Sequence, residues 1–362
     1  MSKRIEYIDI AKGIGILLVV MGHNDFALVS PFFYKFIYAF HMPLFFFVSG
    51  MFFKAELPFL TVLRRRFDTL LKPYLFIVAL IYFMTLSFTK VNFDMATMRV
   101  IKAMYANGHY IDWVQLWFLP HLFALNIFAF GFYWLVKRSN LPWSKWVLLI
   151  AIQVVGVLFL SAFWPFSLSI LGKEITLYGL PLSIDLILVS GFFFILGCEV
   201  NKSIPGDVFG HPLTLFGTGA GLLAMVLFLP QGIDFNTRFF ESLPINTLEA
   251  LLGIAFILAV SKQIERVPRL SAVVRYIGQA SLVILIFHLP IQETWGEKMM
   301  YMFNNWPLSY WIAYFAGVLF PIGINAFFIQ PNPRVRVFFG QAAQAKEKVL
   351  PAAPENSPTQ SN

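Results

Sequence analysis

Ten stretches of this 362-residue chain are apolar over roughly the 20 residues that a helix needs to cross a bilayer. Their approximate limits are 7–25, 32–53, 70–89, 113–136, 146–164, 181–200, 212–230, 246–261, 279–295 and 309–329. Few folds are open to such a chain. Hydrocarbon offers no water to peptide groups, so each span must close its own hydrogen bonds as a helix. Composition agrees, with only 13% charged residues against roughly 25% in soluble domains. Forty-two Phe and nine Trp suit lipid-facing surfaces and interfacial belts. The expected fold is all-α, a polytopic membrane helical bundle of about ten transmembrane helices. Pro43, Pro120 and Pro290 are expected to kink their helices.

Charge placement orients the bundle. With the N-terminus inside, 18 Lys and Arg fall on cytoplasmic segments and six on outer ones, an excess that satisfies the positive-inside rule with both termini cytoplasmic. The chain divides into a membrane domain over 1–335 and a tail over 336–362, whose end lacks a hydrophobic pattern and reads as disordered. Segments 90–112, 165–180 and 231–245 are the long outer loops expected to make extracytoplasmic contacts.

Several function classes are excluded. The net charge of +8 sits in short loops between spans, so it does not describe a nucleic-acid surface. One cysteine, Cys198, lies within an apolar run, which leaves no disulfide framework and no zinc cluster. No metal site is expected. Neither a phosphate-binding Gly-x-x-x-x-Gly-Lys loop nor a Gly-x-Gly-x-x-Gly fingerprint occurs. The first apolar run has no small-residue cleavage site and carries ions, so no cleavable signal peptide is expected.

Those ions are the chemical signal. The first span carries Asp9, Lys12 and His23. At about 100° per residue, the 11-residue step from Lys12 to His23 closes to within about 20° of whole turns, and Asp9 lies one turn earlier on nearly the same stripe. Each such group near a bilayer centre costs about 2.5–3.5 kcal/mol on insertion scales, so it must face protein or water and marks a functional site. His41, His121 and His288 also fall within spans, and imidazole is the side chain best suited to proton transfer near neutral pH. Ser49-Gly50 offers a small surface for helix approach, with no nucleophile elbow around the serine. Arg64, Arg65 and Arg66, followed by Lys72, allow two readings: a topological anchor for the loop, or a site for the phosphates of a cytosolic cofactor.

Four blocks give these residues a family resemblance. They are Tyr7-Ile8-Asp9-Ile10-Ala11-Lys12-Gly13-Ile14 with Met21-Gly22-His23; Phe40 to Gly50; Leu116-Trp117-Phe118-Leu119-Pro120; and Tyr276 to Leu282 running on to His288. In this order, from residue 5 to about 330, the chain resembles the integral-membrane acyltransferase-3 family and, within it, the fucose 4-O-acetylase-like branch. The first block is similar to the family's basic-residue-x10-His signature, with Lys12 where Arg is usual. Thr69 stands where a basic residue is common in the family.

The resemblance implies O-acylation, most often acetylation, of a cell-surface or exported glycan in the bacterial cytoplasmic (inner) membrane. The donor is then acetyl-CoA or another acyl-CoA, a co-substrate rather than a bound cofactor. The acceptor is a glycan or lipid-linked sugar, and the other partners are membrane lipids. A sugar hydroxyl needs a general base to attack a thioester, and His23 suits that role or that of a transient acyl carrier. Lys12 and Asp9 join His23 and His41 in the expected catalytic set, Lys12 to hold an anionic part of the donor or to position Asp9, and His41 to orient His23 or act as a second acid/base; Arg64, Arg65, Arg66 and Lys72 are expected to bind CoA phosphates, and Trp117 and His288 the acceptor. The rival reading is a proton-coupled transporter of a glycan or small solute, whose pathway the same buried ions would line. A membrane scaffold for glycan export is a third.

Overall fold

The computed structural model describes residues 6–88, 93–139, 141, 143–170, 172–229 and 232–340, and every statement below concerns these. The chain is almost wholly helical. In order, the α-helices are α1 Glu6–Gly22, α2 Asp25–Val29, α3 Pro31–Tyr38, α4 His41–Met51, α5 Phe59–Arg66, α6 Lys72–Phe88, α7 Phe93–Tyr105, α8 Phe118–Ser139, α9 Ser144–Phe159, α10 Ile187–Ser203, α11 Pro212–Phe228, α12 Leu243–Glu265, α13 Pro268–Gln279, α14 Ser281–Phe303, α15 Trp306–Ile324 and α16 Pro333–Phe338. Two small antiparallel hairpins complete it: β1 Phe166–Ile170 with β2 Lys173–Leu177, and β3 Ile233–Asp234 with β4 Phe239–Phe240. Helix α16 ends at Phe338, and the tail beyond 340 lies outside the described residues.

Seven helical segments are long and apolar enough to cross a membrane, or eight when α13 and α14, bent by 74°, count as one. Each of the remaining two expected spans, α1 and α11, holds a 17-residue helix. The outer surface is that of an integral membrane protein. Phe88, Phe228, Phe327, Leu213 and Phe216 each expose more than two thirds of their area, which only an apolar surrounding would favour on this scale. Polar groups turn inward instead: Asp9, His41, His121, Glu199, Glu249, His288 and Gln292 are buried.

Helix α1 lies at the centre, packed by α4, α12, α13 and α14. Its contact with α13 is backbone on backbone. A Cβ on Gly278 would stand 1.9 Å from the Asp9 carbonyl oxygen, and one on Gly13 would stand 2.2 Å from the Val274 carbonyl oxygen. Helices α4 and α10 cross in the same way, since a Cβ on Gly50 would meet the Phe194 carbonyl oxygen at 1.9 Å and one on Gly197 the Phe47 carbonyl oxygen at 2.0 Å. In lipid there is little hydrophobic drive between helices, so such close approach, with its dispersion gain, does the work of association. Side chains then reinforce the crossing: the Cys198 thiol donates to the Gly50 carbonyl (3.1 Å) and Asn201 to the Met51 carbonyl (3.0 Å). The small surface expected at Ser49-Gly50 is thus used, by Gly50.

Two expectations about shape change. Pro43 and Pro120 do not kink mid-helix; they sit in the first turns of α4 and α8, where no intrahelical partner is lost. The break in the second span falls instead at Ala39–Phe40, between α3 and α4. Pro290 lies inside α14, which continues through it. The late block around Tyr276–Leu282 is not the start of a straight span. It is the corner where amphipathic α13, tied to α1 by Arg275 and Glu6 (2.7 Å), turns into α14.

The crossings yield a test. Gly197→Ala or Gly278→Ala must push backbones apart, and overpacking of this kind costs about 1–3 kcal/mol. A lowered melting temperature in lipid nanodiscs is the expected result, whereas Gly131→Ala, with nothing near its Cβ, should leave it unchanged.

Candidate functional site

The centre forms where α1 ends. The His23 backbone N–H donates to Val19 (3.1 Å), and the chain then turns sharply. Asn24 fixes the turn: its side-chain oxygen accepts from the Phe26 N–H (3.0 Å), capping α2, and its amide donates to the Tyr310 carbonyl on α15 (3.0 Å). Gln292 ties α14 to the same turn by donating to the Val20 carbonyl (3.0 Å). The half-buried His23 ring lies 5.3 Å, centroid to centroid, from the fully buried ring of His288.

His288 is half satisfied. Its Nδ1 lies 2.9 Å from both the Ile284 and Leu285 carbonyl oxygens. Carbonyls only accept, so Nδ1 holds the proton and Nε2 presents a bare lone pair. That Nε2 is buried and has no hydrogen-bond partner, a state that costs about 1–3 kcal/mol. His41 repeats the pattern one layer away: its Nδ1–H donates to the Ile37 carbonyl (2.9 Å), its ring abuts Tyr38 (4.8 Å), and Tyr38 stacks on Tyr34 (4.1 Å). His41 and His288 both lie within electrostatic reach of His23. So does Asp234 of β3, which also acts on Tyr34 and Tyr38.

Asp234 arrives as part of a cap built from the long segments. Arg238 and Asp185 clasp each other with both side chains almost wholly inaccessible, Nε to Oδ2 at 2.6 Å and Nη2 to Oδ1 at 3.1 Å. The Arg238 guanidinium also donates to the Phe235 (3.2 Å) and Asn236 (2.9 Å) carbonyls and lies 4.6 Å from the Trp164 ring centre. Asn107 donates to the Tyr178 carbonyl (3.0 Å) and Tyr105 to the Gly179 carbonyl (2.8 Å). Gly179 has φ +75°, and a Cβ there would stand 2.6 Å from an Arg238 nitrogen, so the close approach requires glycine. Loops near 105–110, 164–185 and 233–240 therefore form one body.

The other expected residues sit elsewhere. Lys12 pairs with Asp9 (3.9 Å) and lies over the Phe52 ring (3.9 Å) at the end of α4 remote from His41. Eleven residues of helix separate it from His23, a rise of about 16 Å. The same end of the bundle carries Lys262 over Tyr7 (4.3 Å) and the Arg275–Glu6 pair. Arg64, Arg65 and Arg66 form the last turn of α5, Arg64 and Arg65 exposed, and Lys72 pairs with Asp68. Between the levels of Lys12 and His23, an apolar groove runs along α1, lined by Ile14, Leu17, Leu18, Met21, Phe33, Phe36, Ile37 and Tyr314.

Trp117 is buried against His121 (5.5 Å between ring centres). His121 has both nitrogens engaged, Nδ1 with the Leu182 carbonyl (3.1 Å) and Nε2 with the Ser190 hydroxyl (2.9 Å), as a structural histidine should. Sequence reasoning passed over Asp234, Tyr34, Tyr38 and the Arg238–Asp185 clasp. Asp234 and Arg238 fell within a loop singled out for length; nothing local marked them as partners of distant groups.

The acyltransferase-3 family model, described as an acyltransferase domain, matches residues 5–326, nearly the whole chain. No curated protein and no solved structure matches it.

Removing one partner of the clasp should strand a buried charge, a change that costs about 3–5 kcal/mol. Arg238→Ala is expected to lower the melting temperature sharply and to open the loop at 233–240 to protease, both readable on the purified protein.

Proposed function

We propose a specific reaction for this chain, which belongs to the acyltransferase-3 family and is by that membership a membrane acyltransferase. The reaction is transfer of an acyl group, acetyl above all, from cytoplasmic acyl-CoA to a hydroxyl of a cell-surface or exported glycan, of the kind carried out by the fucose 4-O-acetylase-like branch. The observation that carries this reading is the half-buried His23 beside His288 at one end of α1, with the Lys12–Asp9 pair at the other.

In this reading the chain spans the bacterial cytoplasmic membrane ten times with both termini inside. The Lys12 end faces the cytoplasm, in keeping with the basic side chains gathered there, and the cap faces outward. Acyl-CoA docks from inside, its phosphates on Arg64, Arg65 and Arg66 with Lys72 behind them. Lys72 pairs with Asp68 beside these arginines. The thioester arm then extends past Lys12 toward His23 on the same stripe of α1.

The sugar hydroxyl enters from the cap side. As its oxygen attacks the thioester carbonyl, His23 takes the hydroxyl proton; the carbon–sulfur bond breaks and the leaving thiolate receives a proton from the His23 imidazolium. An acyl-His23 intermediate would use the same groups in two steps. His41, its Nδ1–H held by Ile37, is a second acid/base on the α4 side, and Trp117 and His288 form the wall behind the acceptor rather than its mouth.

His23→Ala is expected to reduce CoA release from labelled acetyl-CoA by about 100-fold or more, the scale of a lost general base. The assay uses wild type and variant in nanodiscs with a crude envelope glycan extract; undiminished turnover in a folded variant ends the assignment. Charge reversal at Arg65 and Arg66 should raise KM for acyl-CoA several-fold more than KM for the glycan. Equal effects on both would return these arginines to a topological role.

A further inference from the structure

Among the spans' histidines, His288 is left incomplete in the way that matters for chemistry. His121 spends both nitrogens on the fold. His288 spends one: two helix carbonyls lock Nδ1–H and thereby the plane of the ring, while Nε2 stays buried and unpartnered, with the His23 ring 5.3 Å away. A buried acceptor in a membrane interior needs a donor, since no bulk water reaches it. His288 is wholly inaccessible and His23 is not. An acceptor sugar therefore meets His23 first, with His288 behind it. The terminal torsion of a histidine is soft, so the His23 ring, tilted by 48° to that of His288, is free to turn relative to it.

We infer that His288 is the positioning residue of the acyl-transfer centre: its Nε2 accepts the ring N–H of His23 and fixes the tautomer in which the other His23 nitrogen faces the acceptor hydroxyl. The logic is that of a base oriented by a third group, with a neutral imidazole in place of a carboxylate. A carboxylate there would place a net charge deep in the bundle; a neutral second imidazole, its ring plane fixed by the Nδ1–H bonds, gives direction without that cost. Gln292, one turn beyond His288, fixes the distance between the two rings by binding the Val20 carbonyl three residues before His23. The inference rests on His23 being the base and deepens that reading.

The test uses the full chain in nanodiscs with 15N-labelled histidine, in wild type, His288→Leu and His288→Gln. Leucine removes the acceptor; glutamine restores a carbonyl acceptor near the same place. Ring-nitrogen shifts report the His23 tautomer, assigned by its loss in His23→Gln, and this readout needs no knowledge of the sugar. Expected is a single fixed tautomer in wild type and His288→Gln, and its loss in His288→Leu. With acetyl-CoA and envelope glycan, His288→Leu should lose about 100-fold in kcat, with both KM values within about twofold of wild type, and His288→Gln should regain at least about tenfold of that loss. An unchanged His23 tautomer in His288→Leu, a kcat within about threefold of wild type, or a change in KM alone overturns the inference. Where His288→Leu does not fold, the tautomer and kcat of His288→Gln are read against His288→Phe, with the same outcomes deciding. Failure of the underlying reading looks different: there His23→Ala itself stays active, whereas an inactive His23→Ala beside an active His288→Leu removes the positioning role alone.

Discussion

Everything that gives this bundle its centre depends on how closely two backbones approach at Gly13 and Gly278. Helix α1 carries groups that lipid does not tolerate, so it must be enclosed by protein along its length. Bulky side chains would hold the neighbours away and leave room for lipid or water. Glycine at the crossing lets α13 lie directly on the α1 backbone, and the reciprocal pair at Gly50 and Gly197 draws α4 and α10 together in the same manner. With α1 held, α14 follows through the 74° corner at Ala280, and that corner carries His288 to the level of His23. A loss of contact at Gly278 would therefore be felt about ten residues further along, at the candidate site around His288.

In a medium without water, hydrogen-bond accounting separates fold from function more sharply than in a soluble protein. His121, Asp185, Arg238 and Glu199 look reactive by type and burial, yet each is satisfied: the first by Leu182 and Ser190, the second and third by each other, the last by Lys145 and Tyr133. Their partners explain their presence. The His288 Nε2 has none, and its ring lies 5.3 Å from the half-buried ring of His23. Glu249 is an intermediate case, buried on α12 with the Asn246 amide at 3.3 Å.

Much of the architecture was legible because the bilayer simplifies the code: about 20 apolar residues mean a helix, and all ten stretches contain one. What escaped was what hydropathy does not encode. Helix α13 is amphipathic, so it fell into a connecting loop, and the corner at Ala280 was absorbed into a straight span. Span limits of 32–53 and 113–136 put Pro43 and Pro120 inside a helix, because apolar character does not show that a helix begins beside them. At the candidate site, the placement of Lys12 and His23 along α1 was legible, since both follow one helix and geometry follows from count. The cap did not show itself. Asp185 and Arg238 are 53 residues apart on separate loops, and a charge in a loop looks the same whether it faces solvent or closes a clasp.

The separation of Lys12 from His23 bears on how a transferase of this kind must work. A soluble enzyme gathers donor site and base in one cleft. Here a single helix holds a cation beside Phe52 at one end and an imidazole beside His288 at the other, about 16 Å apart by helical rise. No side chain spans that distance, so a reaction that uses both ends requires a reactant long enough to reach between them. An acyl thioester on a pantetheine arm meets that condition, because its charged end and its reactive carbon are far apart and its middle carries no charge. The two ends also need opposite surroundings: phosphates require exposed cations and water, whereas a neutral imidazole base requires a place where water does not compete for the proton. In the proposed reading α5 supplies the exposed cations and the far end of α1 the imidazole, and the bundle around α1 keeps that imidazole at a fixed distance from Lys12.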